Sequence, residues 1–105
     1  MATQSAVIPA SGTASNAVDL GGAVAGVLQM PAQLTGTTVT IKISIDGVTF
    51  TDVIEEAGEV NPITFSASAV YVLPIKTFSG KYLQLLSNDT EVAARTFPIF
   101  LRMPA

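Results

Sequence analysis

Residues 38–45 constrain the fold more than any other stretch of this chain. Val39, Ile41, Ile43 and Ile45 alternate there with Thr38, Thr40, Lys42 and Ser44. A helix would scatter the four β-branched side chains around its circumference, whereas a strand gathers them on one face. One face of this segment is therefore expected in a core and the other in water. Asp46-Gly47 follows directly. That pair predicts a type I′ hairpin turn, whose two central residues both need positive φ. The return strand is expected over 48–54, with Val48, Phe50 and Ile54 on one face. Asp52 falls on that same face, which predicts a bulge or a strand end there.

The rest of the chain carries the same signal. Val, Ile and Thr number 11, 8 and 12 among 105 residues, and such side chains suit a pleated, half-buried surface. Short strands are expected at 6–10 and 17–20, separated by Ser11-Gly12-Thr13, and at 25–30, ended by Pro31. Residues 18–30 could be read as a helix, but three glycines and Pro31 weigh against it. After the acidic loop at Glu55, Glu56 and Glu59, Ile63, Phe65 and Ala67 suggest a short strand. Further strands are expected at 70–76, interrupted by Pro74, at 81–87, and at 95–103. In the last of these, Phe97, Ile99, Leu101 and Met103 share a face, and Pro98 predicts an edge strand or a bulge because it lacks an N–H. About eight or nine short antiparallel strands with closely spaced turns predict an all-β chain. The expected fold is a single β-sandwich over 1–105, Greek-key or jelly-roll-like.

Composition narrows the chemistry. The chain has no Cys, His or Trp, only 12% charged residues and a net charge of −3. No disulfide, zinc finger, imidazole base or Cys nucleophile can be built from it. Calcium loops need a defined run of oxygen ligands, and the spacing of Glu55, Glu56 and Glu59 matches none, so they are read as a solvated loop. Eight scattered acids do not suggest a glycosidase pair. No enzyme, cofactor or metal site is expected. Five scattered bases argue against nucleic acid. Residues 20–41 are uncharged, but their glycines, glutamines and Pro31 make poor membrane helix, and the N-terminus lacks the basic start of a secretory signal. Neither a membrane nor a secretory leader is expected. Gly22 and Gly26 form a small-xxx-small pair that has meaning only in a membrane helix. Asn88-Asp89-Thr90 is read as a turn rather than a glycosylation site.

The missing charge has a place. Thr37, Thr38, Thr40, Ser44, Thr49 and Thr51 would supply neutral outward surface where a monomer usually carries Lys and Glu. Residues 1–16 carry no charge either and are expected to be an interaction arm that orders on docking, with Val7, Ile8 and Pro9 as its contact residues.

Ser44-Ile45-Asp46-Gly47-Val48-Thr49-Phe50 is an S-x-D-G-x-T-F string similar to those in carbohydrate-binding sandwiches and sialidase Asp boxes, where it is a structural hairpin turn. A wider pattern resembles small virion proteins of tailed bacteriophages. It runs through Ile8, Ser11-Gly12, Ser15 and Val18-Asp19-Leu20-Gly21-Gly22, then Val27, Met30-Pro31-Ala32, Leu34-Thr35-Gly36 and Thr40-Ile41. It continues in Phe78-Ser79-Gly80-Lys81-Tyr82-Leu83 and in 97–102. The resemblance implies a non-enzymatic capsid decoration (cement) protein, made in the bacterial cytoplasm and seated on the capsid surface as a trimer or dimer against the major capsid protein or other virion proteins. A head–tail, tail or fibre-base accessory protein is the alternative it leaves open, and a soluble carbohydrate-binding module is a third. It transfers no catalytic residue.

Overall fold

A computed structural model describes residues 2–52 and 63–104. Among these the chain forms β1 (Ala2–Ile8), β2 (Val18–Asp19), β3 (Ala25–Gln29), β4 (Thr38–Ser44), β5 (Thr51–Asp52), β6 (Ile63–Thr64), β7 (Val70–Val72), β8 (Tyr82–Ser87) and β9 (Arg95–Arg102). A short 3₁₀ helix, Ile75–Ser79, follows Pro74 between β7 and β8. All strand pairs are antiparallel. One sheet has the order β1-β9-β3-β7 and the other β2-β8-β4-β5, with β6 also pairing with β4. From β1 to β4 the chain alternates between sheets, and it alternates again from β7 to β9. This is the double Greek-key order of a jelly roll, so the all-β sandwich expected from the sequence is the fold that forms.

Alternation explains the core. Phe97, Ile99 and Leu101 of β9, Leu83 and Leu85 of β8, and Val39 and Ile41 of β4 turn inward at every second residue and are buried. Ala6 and Ile8 of β1 and Leu28 of β3 complete the layer between the sheets. Each fully buried large aliphatic of this kind contributes roughly 1.5–3 kcal/mol. Gly26 lies in a tight place under Phe78: a Cβ there would approach the Phe100 carbonyl oxygen to 3.0 Å and Phe78 Cζ to 3.2 Å. The absent side chain lets the 3₁₀ helix settle against β3.

Several expectations are corrected. The strand expected at 6–10 begins at Ala2 and ends at Ile8. The strand expected at 70–76 stops at Val72, because Pro74 turns the chain into the 3₁₀ helix. β9 is not an edge: it lies between β1 and β3. Pro98 is tolerated there because the β3 ladder ends at Leu28↔Ile99, one residue before a Pro98 amide would have been needed. The pairing of β4 with β5 confirms the hairpin, but not the two-residue turn. The last pair is Ile43↔Thr51, so residues 44–50 form a wider loop. Of its two expected turn residues only Gly47 has positive φ, at +80°. Alternation also fails at the end of β4. Ser44 is buried and Ile45 is exposed, the reverse of the expectation, because Ser44 turns in to bond the loop. The expected loop at Glu55, Glu56 and Glu59, and Ile54 of the return strand, lie outside the described residues.

Candidate interaction surface

The Asp46 loop is held by two side chains. Asp46 Oδ1 accepts hydrogen bonds from the Val48 amide and the Thr49 amide, both at 2.9 Å, and from the Ser44 hydroxyl at 2.8 Å. Ser44 Oγ in turn accepts from the Gly47 amide at 2.9 Å and the Asp46 amide at 3.2 Å. Five short-range bonds therefore converge on two residues, and Gly47 supplies the positive φ that closes the loop. The Thr49 and Val48 amides, with the Ser44 hydroxyl, favour the ionised carboxylate and hold the Asp46 pKa down at about 2. Beyond this scaffold stand Ile45 and Val48, 78% and 83% exposed. Beside it runs a cleft of about 470 Å³ lined by Ile43, Ser44, Asp46, Thr51 and Gly80 among others, with no aromatic side chain among the described residues of its wall.

The N-terminal candidates take a different position. Residues 2–8 are not a detached arm, because β1 pairs with β9 along its whole length from Ala2↔Leu101 to Ile8↔Arg95. Ile8 is fully buried and belongs to the core, so it cannot be a docking contact. Val7 is half-buried and Pro9 is exposed, next to the tight turn in which the Gly12 amide bonds the Pro9 carbonyl. The uncharged composition of this segment reflects a strand joined to the sheet. The structure thus separates the two groups of candidates: Asp46 and Gly47 follow β4 in one sheet, and Val7 and Ile8 lie in the other.

Three polar residues to which sequence reasoning gave no role, Ser15 among them, organise the rest of the surface. Asn16 seals the free side of β1. Its Oδ1 accepts from the Val7 amide at 2.7 Å, its own amide donates to the Val7 carbonyl at 3.3 Å, and Nδ2 donates to the Ser5 carbonyl at 3.4 Å. Ser15 is buried and ties the same segment to the opposite sheet, its hydroxyl accepting from the Leu85 amide at 2.9 Å. Glu91 is fully buried. Its carboxylate accepts from the Thr35 amide (2.9 Å), the Gly36 amide (3.1 Å), the Ser87 hydroxyl (2.8 Å) and Arg95 Nε (2.9 Å). Burial alone would raise the Glu91 pKa. The Thr35 amide, Arg95, the Gly36 amide and Ser87 outweigh it and lower the pKa to about 2. Glu91 is a structural clamp: four donors take up its oxygens and no solvent-facing position is left for substrate. Two of its partners, the Thr35 and Gly36 amides, are backbone groups more than fifty residues away, so the local Ser87 and Arg95 alone do not announce the clamp.

Thr37, Thr49 and Thr51 are exposed and Thr38 and Thr40 half-buried, so the neutral outer surface exists, with Ser44 removed from it. Comparison with protein families, with curated proteins and with solved structures gives no match for this chain.

Proposed function

We propose that the protein is a non-enzymatic structural component of a bacteriophage virion, a capsid decoration protein that binds the major capsid protein and stabilises the shell. One observation carries the reading: Ile45 and Val48 stand 78% and 83% exposed on a loop that five hydrogen bonds make rigid. A loop held in its bound shape loses little entropy on docking, so its apolar tips can contribute most of their burial to affinity. Beside it Thr49 and Thr51 offer exposed neutral surface, which costs less to dry against a neighbour than charge, although Asp46 and Lys81 are exposed close by. The jelly roll agrees with this use but does not select it, since shell proteins and lectins share the architecture. Among the described residues that line the cleft beside the loop there is no aromatic side chain to stack on a sugar ring, which favours a protein partner over a carbohydrate.

The test is a copy number on purified virions by quantitative mass spectrometry, followed by shell binding of Ile45→Asp and Val48→Asp. Hundreds of copies per particle, with occupancy lost in both variants at unchanged melting temperature, is the expected result. A dozen or fewer copies would move the protein to a head–tail, tail or fibre-base position. Absence from the particle would end the virion reading.

A further inference from the structure

The sheet β1-β9-β3-β7 has two edges, and the chain treats them differently. On β1 the Asn16 side chain and backbone take the place of a neighbouring strand at Ser5 and Val7. On β7 nothing comparable occurs among the described residues. The Met30 amide bonds the Ala69 carbonyl at 2.8 Å, and the Leu73 amide bonds the Gly26 carbonyl at 3.0 Å. Backbone groups of an antiparallel strand point to alternate sides at successive residues. Ala69, Tyr71 and Leu73 therefore bond inward to β3, while Val70 and Val72 direct their amides and carbonyls out of the sheet. Their side chains are 64% and 72% exposed. From Phe65 to Ile75 there is no charged residue, so the edge has neither a Lys guard nor an inward-pointing charge.

We propose that β7 is a self-pairing edge: two copies of this chain join antiparallel through β7 about a two-fold axis at Tyr71, making one continuous sheet across the dimer. The geometry is self-complementary. With Tyr71 on the axis, Val70 lies opposite Val72 of the second copy, and Val72 opposite its Val70. Each of these pairs exchanges two N–H···O=C bonds, so all four outward amides and carbonyls per copy find partners. The apolar row that already crosses the sheet through Phe100↔Val27↔Val72 continues onto Val70 of the second copy. Each chain carries a net charge of −3 but none of it on this edge, so like-charge repulsion does not oppose the contact locally. The pairing is also bounded. Ser68 has φ +58° at one end of β7 and Pro74 stands at the other, which stops the ladder from extending. A cleft of about 500 Å³ lined by Val24, Tyr71, Val72, Pro74 and Phe78 adjoins the strand and adds apolar area to a short ladder. A contact of this extent lies at the small end of specific interfaces, so the dimer is weak and concentration-dependent. The pairing does not depend on the virion reading.

Because the natural chain has no cysteine, the register can be read by cross-linking. Residues in a hydrogen-bonded antiparallel pair have Cα atoms about 5.5 Å apart, within disulfide range. Val70→Cys and Val72→Cys are prepared separately, oxidised alone and as an equimolar mixture, and resolved by mass. The expected product is a mixed disulfide dimer of one Val70→Cys chain with one Val72→Cys chain, forming at least tenfold faster than either homodimer. Sedimentation of the unmodified chain from micromolar to millimolar concentration should show a monomer–dimer equilibrium. Val72→Lys, at an exposed position that leaves the melting temperature unchanged, should abolish it. A chain that stays monomeric at millimolar concentration overturns the proposal, as does equal cross-linking in all three samples. If Val72→Lys instead removes binding to purified capsids while the chain is always monomeric, the edge belongs to a strand of the shell protein and the second-copy assignment is wrong.

Discussion

Asp46 and Glu91 do the same job in opposite settings. Each carboxylate accepts from two neighbouring backbone amides and from a serine hydroxyl, and each is held ionised with a pKa near 2. Asp46 works on the surface and reaches partners at most three residues away. Glu91 works in the interior, and its backbone partners Thr35 and Gly36 are 56 and 55 residues distant. The first shapes a loop; the second joins two loops that the chain brings together only on folding. A local bond can be replaced by water when it is cut, whereas a buried one leaves its donors stranded. The two sites should therefore respond very differently to the same substitution.

The largest effect is expected for Glu91→Ala. It strands the Thr35 and Gly36 amides, the Ser87 hydroxyl and the Arg95 guanidinium around an empty space. Removing one partner of a buried, hydrogen-bonded charge pair costs about 3–5 kcal/mol. Chemical denaturation should show that loss, or no folded protein at all. Gly36→Ala tests the same clamp from the other side, since a Cβ at Gly36 would collide with Ser87 Oγ and Asn88 Oδ1. A Glu91→Ala protein as stable as the natural chain would show that the clamp contributes nothing.

Asp46→Ala should cost far less, a drop of a few degrees in melting temperature. The exposed amides of Val48 and Thr49 can bond water instead. Its main consequence is dynamic: faster amide hydrogen exchange at Val48 and Thr49 and, if the proposed shell contact holds, weaker binding there, because Ile45 and Val48 are no longer held out in a fixed geometry. Unchanged exchange at those amides would mean that Gly47 and Ser44 fix the loop without the carboxylate.

Acid separates the two sites again. Both groups have folded-state pKa values below the ordinary ones, 3.8 for Asp46 and 4.5 for Glu91. Their contributions are therefore complete above about pH 4.5 and are lost as pH falls toward 2, where the unfolded chain takes up protons first. The melting temperature should fall through that window. In Glu91→Gln the slope should be reduced, and in Asp46→Asn reduced too but less, because its shift is the smaller and water screens the exposed site. Equal slopes in the two variants would contradict this difference in setting.

The same contrast explains what is legible in the sequence. β4 can be read from Val39, Ile41 and Thr38 because alternation is a local property, and the Asp46 turn because its partners lie within three residues. The inward faces of β8 and β9 follow from the same periodicity. The turn type is not legible, because Ser44 competes for the loop amides and a Ser-Asp pair replaces the expected I′ geometry. The role of residues 1–16 is not legible either, because lack of charge marks a surface to be covered but does not say by what. In this case the cover is β9 on one side and Asn16 on the other. Pro98 points to an edge when its strand is read alone, because the end of the β3 ladder is set by register, which no single strand carries. Asn16 bonds backbone groups of β1 nine and eleven residues away, and Glu91 bonds two backbone amides 56 and 55 residues away; its local partners, Ser87 and Arg95, stand four residues to either side, a spacing that does not by itself mark a buried carboxylate.

The smallest expected effect comes from the counterpart of Glu91. Thr77 in the 3₁₀ helix is also fully buried, but its hydroxyl has no hydrogen-bond partner among the described residues. Glu91 shows four donors answering a buried polar group; Thr77 shows none. An unsatisfied buried hydroxyl costs about 1–3 kcal/mol, part of which an isosteric methyl recovers. Thr77→Val keeps the shape and the β-branching while removing that oxygen. It should stabilise the fold by roughly 1 kcal/mol, read as a small rise in denaturation midpoint at constant slope. A destabilised Thr77→Val protein would mean that the hydroxyl is answered in solution, by a water or by a slight movement of the helix. The division between answered and unanswered buried groups would then have to be redrawn at this position.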